Sequence, residues 1–163
     1  MFAAPEAFKR GDNAAGWLPL KNKGRGVEFP DWLYHKECIA KPGAVFEGLE
    51  ANGVMDWDYY GPVISNFFFE GQDTPNDVMA AAIAICHSAP PAGYASGTMI
   101  GAYNFGAGKV VLNTFRVLGN IDKHPAADQL LLNLIAYAAT STNEPVAPLP
   151  SDFDATLKDI GIE

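Results

Sequence analysis

The chain has 163 residues, of which 48% are hydrophobic, 12% aromatic and 18% charged, the size and balance of one globular domain rather than a disordered chain. Nineteen carboxylates against eleven Lys and Arg leave a formal net charge of −8, which repels phosphate backbones and anionic lipid heads and excludes nucleic acid as an expected partner. No apolar run approaches the ~20 residues of a membrane helix, so no membrane association is expected.

Residues 1–26 contain Pro5, Gly11, Gly16, Pro19, Gly24 and Gly26 and read as an irregular lead-in with one helical turn near Pro5 to Lys9. The first residues show no basic stretch followed by an apolar one, so no signal peptide is expected and a cytoplasmic location follows by default. Val27 to Ala40 is apolar and aromatic and reads as extended chain interrupted at Pro30. Pro42-Gly43 and Asn52-Gly53 are turn signals. Gly61-Pro62 then splits a dense aromatic stretch, leaving Val63 to Phe69 as an expected strand.

The next segment predicts a helix from Thr74 to about His87. Thr74 stands as N-cap, Pro75 at the first helical position and Asp77 in a capping-box-like place. Val78, Ala81, Ala82 and Ile85 fall at the spacing of one buried helical face. Tyr94 to Tyr103 and Lys109 to Phe115 predict two strands, and the glycines at 106 and 108 suit the tight reversal between them. A second helix is expected from Pro125, with Asp128 near its positive end and Leu130, Leu131, Leu134, Ile135 and Ala138 on a wide apolar face. Pro145 to Pro150 reads as a linker. Ser151 to Asp154 caps a short last helix that Gly161 closes.

The stretches Gly106-Ala-Gly-Lys-Val-Val-Leu-Asn-Thr114, His124-Pro-Ala-Ala-Asp128 and Leu132-Asn-Leu-Ile-Ala-Tyr137 resemble the end of a class I glutamine-amidotransferase-like domain. The version in question is attached to family 2 glycoside hydrolases and related β-galactosidase proteins. Trp32-Leu-Tyr-His-Lys-Glu37, Phe46-Glu-Gly-Leu49 and Met55-Asp-Trp-Asp58 fit the same resemblance, which covers roughly residues 27–140. It implies an α/β fold, with a mixed, mostly parallel sheet and flanking helices, flavodoxin-like or amidotransferase-like. That fold begins with parallel strand–helix units for which there is no sequence before residue 27, so the domain is expected to be truncated at its N-terminus. The expected division is a lead-in at 1–26, the domain at 27–144, and a linker with a short helix at 145–163. Amidotransferase chemistry is not expected, because Cys86 lacks the Gly-x-Cys-x-Gly surroundings of a nucleophile elbow.

Four residues are candidates for catalysis. His35 and Glu37 lie two apart and share a side if Leu33 to Ile39 is a strand, so the carboxylate could orient the imidazole as a base; a solvated strand face explains the same pattern. Asp56 and Asp58 flank Trp57 and precede Tyr59 and Tyr60. Two carboxylates beside rings that stack on a sugar are what glycoside cleavage needs, with Trp57, Tyr59 and Tyr60 as substrate-binding residues. Packing plugs or subunit contacts account for such aromatics equally well. Cys86-His87, adjacent on the expected helix, point about 100° apart and form no nucleophile–base pair by themselves. His124 reads as a helix-start position. No metal-ligand spacing is present, Cys38 and Cys86 are expected as reduced core thiols unless they lie close enough in space to pair, and no phosphate loop is formed by Gly106 to Gly108; neither metal nor cofactor is expected.

Three functions are open at this point. The first is a non-catalytic accessory or assembly domain related to carbohydrate-active enzymes, expected as a homo-oligomer. The second is a small hydrolase of glycoside or ester bonds acting through His35, Glu37, Asp56 or Asp58. The third is a carbohydrate-binding module, for which a sugar is the ligand.

Overall fold

The computed structural model describes residues 8–28, 36–86, 93–140, 148–149, 151–159 and 161. Its strands are β1 (Lys23–Glu28), β2 (Lys36–Ala40), β3 (Gly53–Val54), β4 (Phe67–Gln72), β5 (Asp77–Cys86), β6 (Gly93–Phe105) and β7 (Gly108–Asn113). Its helices are α1 (Trp57–Tyr60), α2 (Pro125–Thr140) and α3 (Phe153–Asp159). The strands form one sheet in the order β1-β4-β6-β5-β2-β3, with β7 also on β6. Each pairing is antiparallel.

The expected mostly parallel, flavodoxin-like sheet is therefore wrong, and the cause can be traced to one segment. The stretch read as a helix from Thr74 to His87 is β5, an interior strand bonded to β6 on one side and β2 on the other. A short Ala-rich apolar run satisfies a helical period and a buried strand alike, and only its neighbours decide between them. Here both edges find partners, so the backbone bonds laterally. A register shift between Val78 and Ala81 also breaks the strict alternation by which a strand would have been recognised. Thr74 caps nothing: it is exposed, Pro75 is buried, and the Asn76 side-chain oxygen accepts the Asn104 amide at 2.8 Å. Without that helix β5 follows β4 directly, and antiparallel pairing needs no helical crossover.

The hairpin was legible. β6 and β7 pair from Ile100↔Asn113 to Phe105↔Gly108, and Gly106 turns the chain at φ +53°, a left-handed conformation that costs glycine least. β6 is longer than expected at 13 residues. One edge bonds β5, while β4 at Thr98 and β7 from Ile100 onward share the other. Where β4 crosses, a Cβ on Gly97 would run into the Phe69 carbonyl, so only glycine admits that approach. β4 itself begins at Phe67, because Val63 and Ile64 are held in a turn by bonds from their amides to the Tyr60 carbonyl at 2.9 Å. β1 begins at Lys23, inside the stretch read as lead-in.

The sheet has two unlike faces. One is covered by α2, α1 and the 3-10 turn Ala44–Phe46, around Phe68, Met99, Ile100, Leu130 and Leu134. Burying each leucine there stabilises the fold by roughly 1.5–3 kcal/mol. The other carries a smaller cluster: Ala14, Ala15, Leu18 and Leu20 of the irregular segment against Phe69, Tyr103 and Leu112. The Asp73 carboxylate ties that segment down, accepting from the amides of Lys21 at 2.7 Å and Asn22 at 3.1 Å. The Tyr103 hydroxyl donates to the Asp73 carbonyl at 2.7 Å. Among the described residues no helix is long and apolar enough to cross a membrane.

Candidate functional site

Among the described residues, candidate side chains gather at the turn at Asp56 to Tyr60 with the start of α2, and on the outward face of α2. Asp56 is the N-cap of α1, its carboxylate accepting the Asp58 amide at 3.0 Å. That bond satisfies one of the amides a helix start leaves without a partner. Asp58 is exposed in the same first turn, where a negative charge suits the helix dipole. Both carboxylates thus have a local structural role.

The three aromatics of the turn separate. Tyr60 is 2% exposed and belongs to the main core; burial, then the neighbouring Tyr59 and Glu50, push its phenol up. Trp57 and Tyr59 remain at the surface, 42% and 44% exposed. The Tyr59 ring packs edge-on against Tyr60, with centroids 4.8 Å apart, and tilted over His124 at 5.0 Å. So two of the three expected sugar platforms are accessible and the third is a packing residue.

His124 starts α2. Its carbonyl accepts the amides of Ala127 and Asp128, and its Nδ1 accepts the Ala126 amide at 3.2 Å. Nδ1 as acceptor leaves the proton on Nε2, which donates to the Tyr59 carbonyl at 2.9 Å. Both ring nitrogens are engaged in joining α2 to α1, which leaves neither for proton transfer. The reading of His124 as a helix-start position agrees with this geometry. Asp128, one turn on, accepts the amide of Asp122 at 2.9 Å and holds that residue at φ +60°.

Glu37 lies in β2 opposite Ile83, and its side chain, like His35, lies outside the described residues. Cys86 ends β5 opposite Gly93, on a strand rather than late in a helix; its side chain and His87 also lie outside the described residues. Cys38 is buried, its thiol 3.5 Å from the Met55 sulfur. Among the described residues no group of three His, Cys, Asp or Glu side chains is placed to hold a metal ion.

Sequence reasoning missed the role of Asn133. Its amide donates to the carbonyls of Val45 at 3.0 Å and Glu47 at 2.8 Å and accepts from Gln129 at 2.8 Å. One buried side chain therefore fastens the Ala44–Phe46 turn to α2. The signal was available, because a polar amide inside an otherwise apolar helix must find partners if it is buried. Tyr137 anchors the far end of the helix to β5 through Asp77 at 3.4 Å; burial, then that carboxylate, push its phenol up.

The outward face of α2 is the remaining feature. The helix has one charged residue, Asp128, in sixteen. Leu132 is 62% and Ile135 46% exposed, and Ala136 and Ala139 are exposed beside them. A surface helix ordinarily turns charge outward, and contiguous exposed apolar surface marks a contact site. Compared with protein-family models, curated proteins and solved structures, the chain matches none of them.

Proposed function

We propose that this chain is a non-catalytic assembly module that pairs with a second copy of itself through the outward face of α2. The observation that carries this reading is the exposure of Leu132 and Ile135 on a helix whose only charge lies in its first turn. Copies with a net charge of −8 repel one another, so a self-contact is least costly on a surface without charge. A two-fold axis would set the same face of each copy against the other. The local structural roles of Asp56, Asp58 and His124 support a role without chemistry. A relation to carbohydrate-active enzymes rests on the sequence resemblance alone and belongs to the proposal in that form.

Light scattering across a concentration series tests it. The wild type is expected to be dimeric, and Leu132→Glu with Ile135→Glu monomeric at unchanged circular dichroism. A wild type that stays monomeric throughout overturns the reading. The exposed rings of Trp57 and Tyr59 favour one second reading, a carbohydrate-binding module. It expects oligosaccharides to quench tryptophan fluorescence and Trp57→Ala to abolish the response.

A further inference from the structure

A groove of about 880 Å³ opens beside β7, within the range of small-molecule sites. Its apolar lining comes from both cores: Phe67 and Val110 from the smaller, Phe115, Val117 and Leu134 from the larger, with Ala138 on the flank of α2. The polar side chains around it are largely committed to the protein's own chain. Ser65 bonds both backbone groups of Phe67, and Asn113 does the same for Phe115. Asn120 donates to the carbonyls of Pro62 and Arg116. Such groups are poor receivers for the many hydroxyls of a sugar.

Two cations in the lining are differently placed. Arg116 donates to the Asn66 side-chain amide oxygen at 3.1 Å, a neutral partner, and Lys109 lies over the Tyr137 ring at 5.3 Å. Among the described residues neither has a carboxylate in ion-pair contact, although the chain has an excess of acids. The lining also includes Thr114, whose buried hydroxyl has no hydrogen-bond partner among the described residues. One carboxylate, the exposed Glu28, is also among the described lining residues. From this complementarity we infer that the groove binds an elongated apolar molecule with a single anionic head group, a long-chain carboxylate in chemical class. The head group pairs with Arg116, which can take a carboxylate through two parallel bonds, and the tail covers the apolar wall. The site takes Leu134 and Ala138 from the flank of α2 and does not rest on the assembly reading.

The test is a fluorescence titration with dansyl-labelled undecanoic acid and, in parallel, its uncharged methyl ester. The acid is expected to bind more tightly than the ester. Arg116→Gln should weaken the acid about tenfold, the effect of losing ~1.4 kcal/mol, and leave the ester unchanged, while Glu28→Gln should tighten the acid. Ala138→Trp, which fills the groove from an exposed helical position, should abolish binding of both. Gly119→Leu provides a second filling variant, because a Cβ there meets no atom within 4 Å. Repeating the titration with Leu132→Glu separates ligand binding from association of copies. No binding of the acid overturns the proposal. So does equal binding of acid and ester that Arg116→Gln leaves untouched, or binding that survives both filling variants in folded protein.

Discussion

The two faces of the sheet are covered in opposite ways. On one face a regular helix supplies Ala126, Ala127, Leu130 and Leu134 to the larger cluster, and its ends and middle are fastened by His124, Asn133 and Tyr137. On the other, an irregular segment places Ala14, Ala15, Leu18 and Leu20 on Phe69, Tyr103 and Leu112 with little repeating backbone structure. A helix satisfies its own backbone and spends its side chains on packing. An irregular segment has to find external partners for its amides, and here the Asp73 carboxylate and the backbone of Gly24 and Lys23 supply them. The first face therefore stands on burial, and the second depends far more on a few polar ties.

The largest expected difference between the faces is in their leucines. Leu130→Ala should cost about 3–5 kcal/mol in urea denaturation and Leu18→Ala about 2, because the irregular segment can settle into the space left behind. Equal losses would mean that the second face packs as rigidly as the first. Asn133→Ala should cost about 1–3 kcal/mol by taking the Asn133 donor from the carbonyls of buried Val45 and of Glu47. Hydrogen exchange should then locate the loosening at residues 44–49 and not at 8–20.

A smaller, pH-dependent effect belongs to the second face. Burial pushes the Tyr103 phenol up to about 12, above the ordinary value near 10. The folded state thus holds the proton more tightly than the unfolded chain. Its contribution is fully present below pH 10 and is lost as the pH rises through about 12. Tyr103→Phe should flatten the alkaline fall in stability while costing about 1 kcal/mol at neutral pH for the lost bond to Asp73. An unchanged alkaline slope would remove Tyr103 as its source. The smallest effect is expected at Asp56. Asp56→Asn should change stability by less than about 0.5 kcal/mol, since Asn caps a helix as well as Asp, whereas Asp56→Ala should cost about 1. Hydrolysis of a chromogenic glycoside that disappears in folded Asp56→Asn would give that carboxylate chemistry beyond its cap.

What could be read from the sequence were the features whose cause is local. The Gly106 turn, the start of α2 at Pro125 and the closure of α3 by Gly161, which stands at φ +83°, each follow from the conformational limits of a few neighbouring residues. In the candidate site, local chemistry likewise singled out the Asp56 to Tyr60 turn, though not that Asp56 caps it and Tyr60 faces inward. The hydrophobic period of Val78 to Ile85 allowed two answers, and the edges of β6 and β2 chose the strand. The ties of Asn133, the groove beside β7 and the contact of Arg116 with Asn66 exist only once residues some fifty to ninety positions apart are brought together. By itself the sequence determined the reversal at Gly106 and where α2 and α3 start, because backbone sterics need no tertiary partner. The sheet topology, the burial of Tyr60 and the apolar face of α2 were decided by tertiary structure, because hydrogen-bonding and burial are settled by what lies alongside in space.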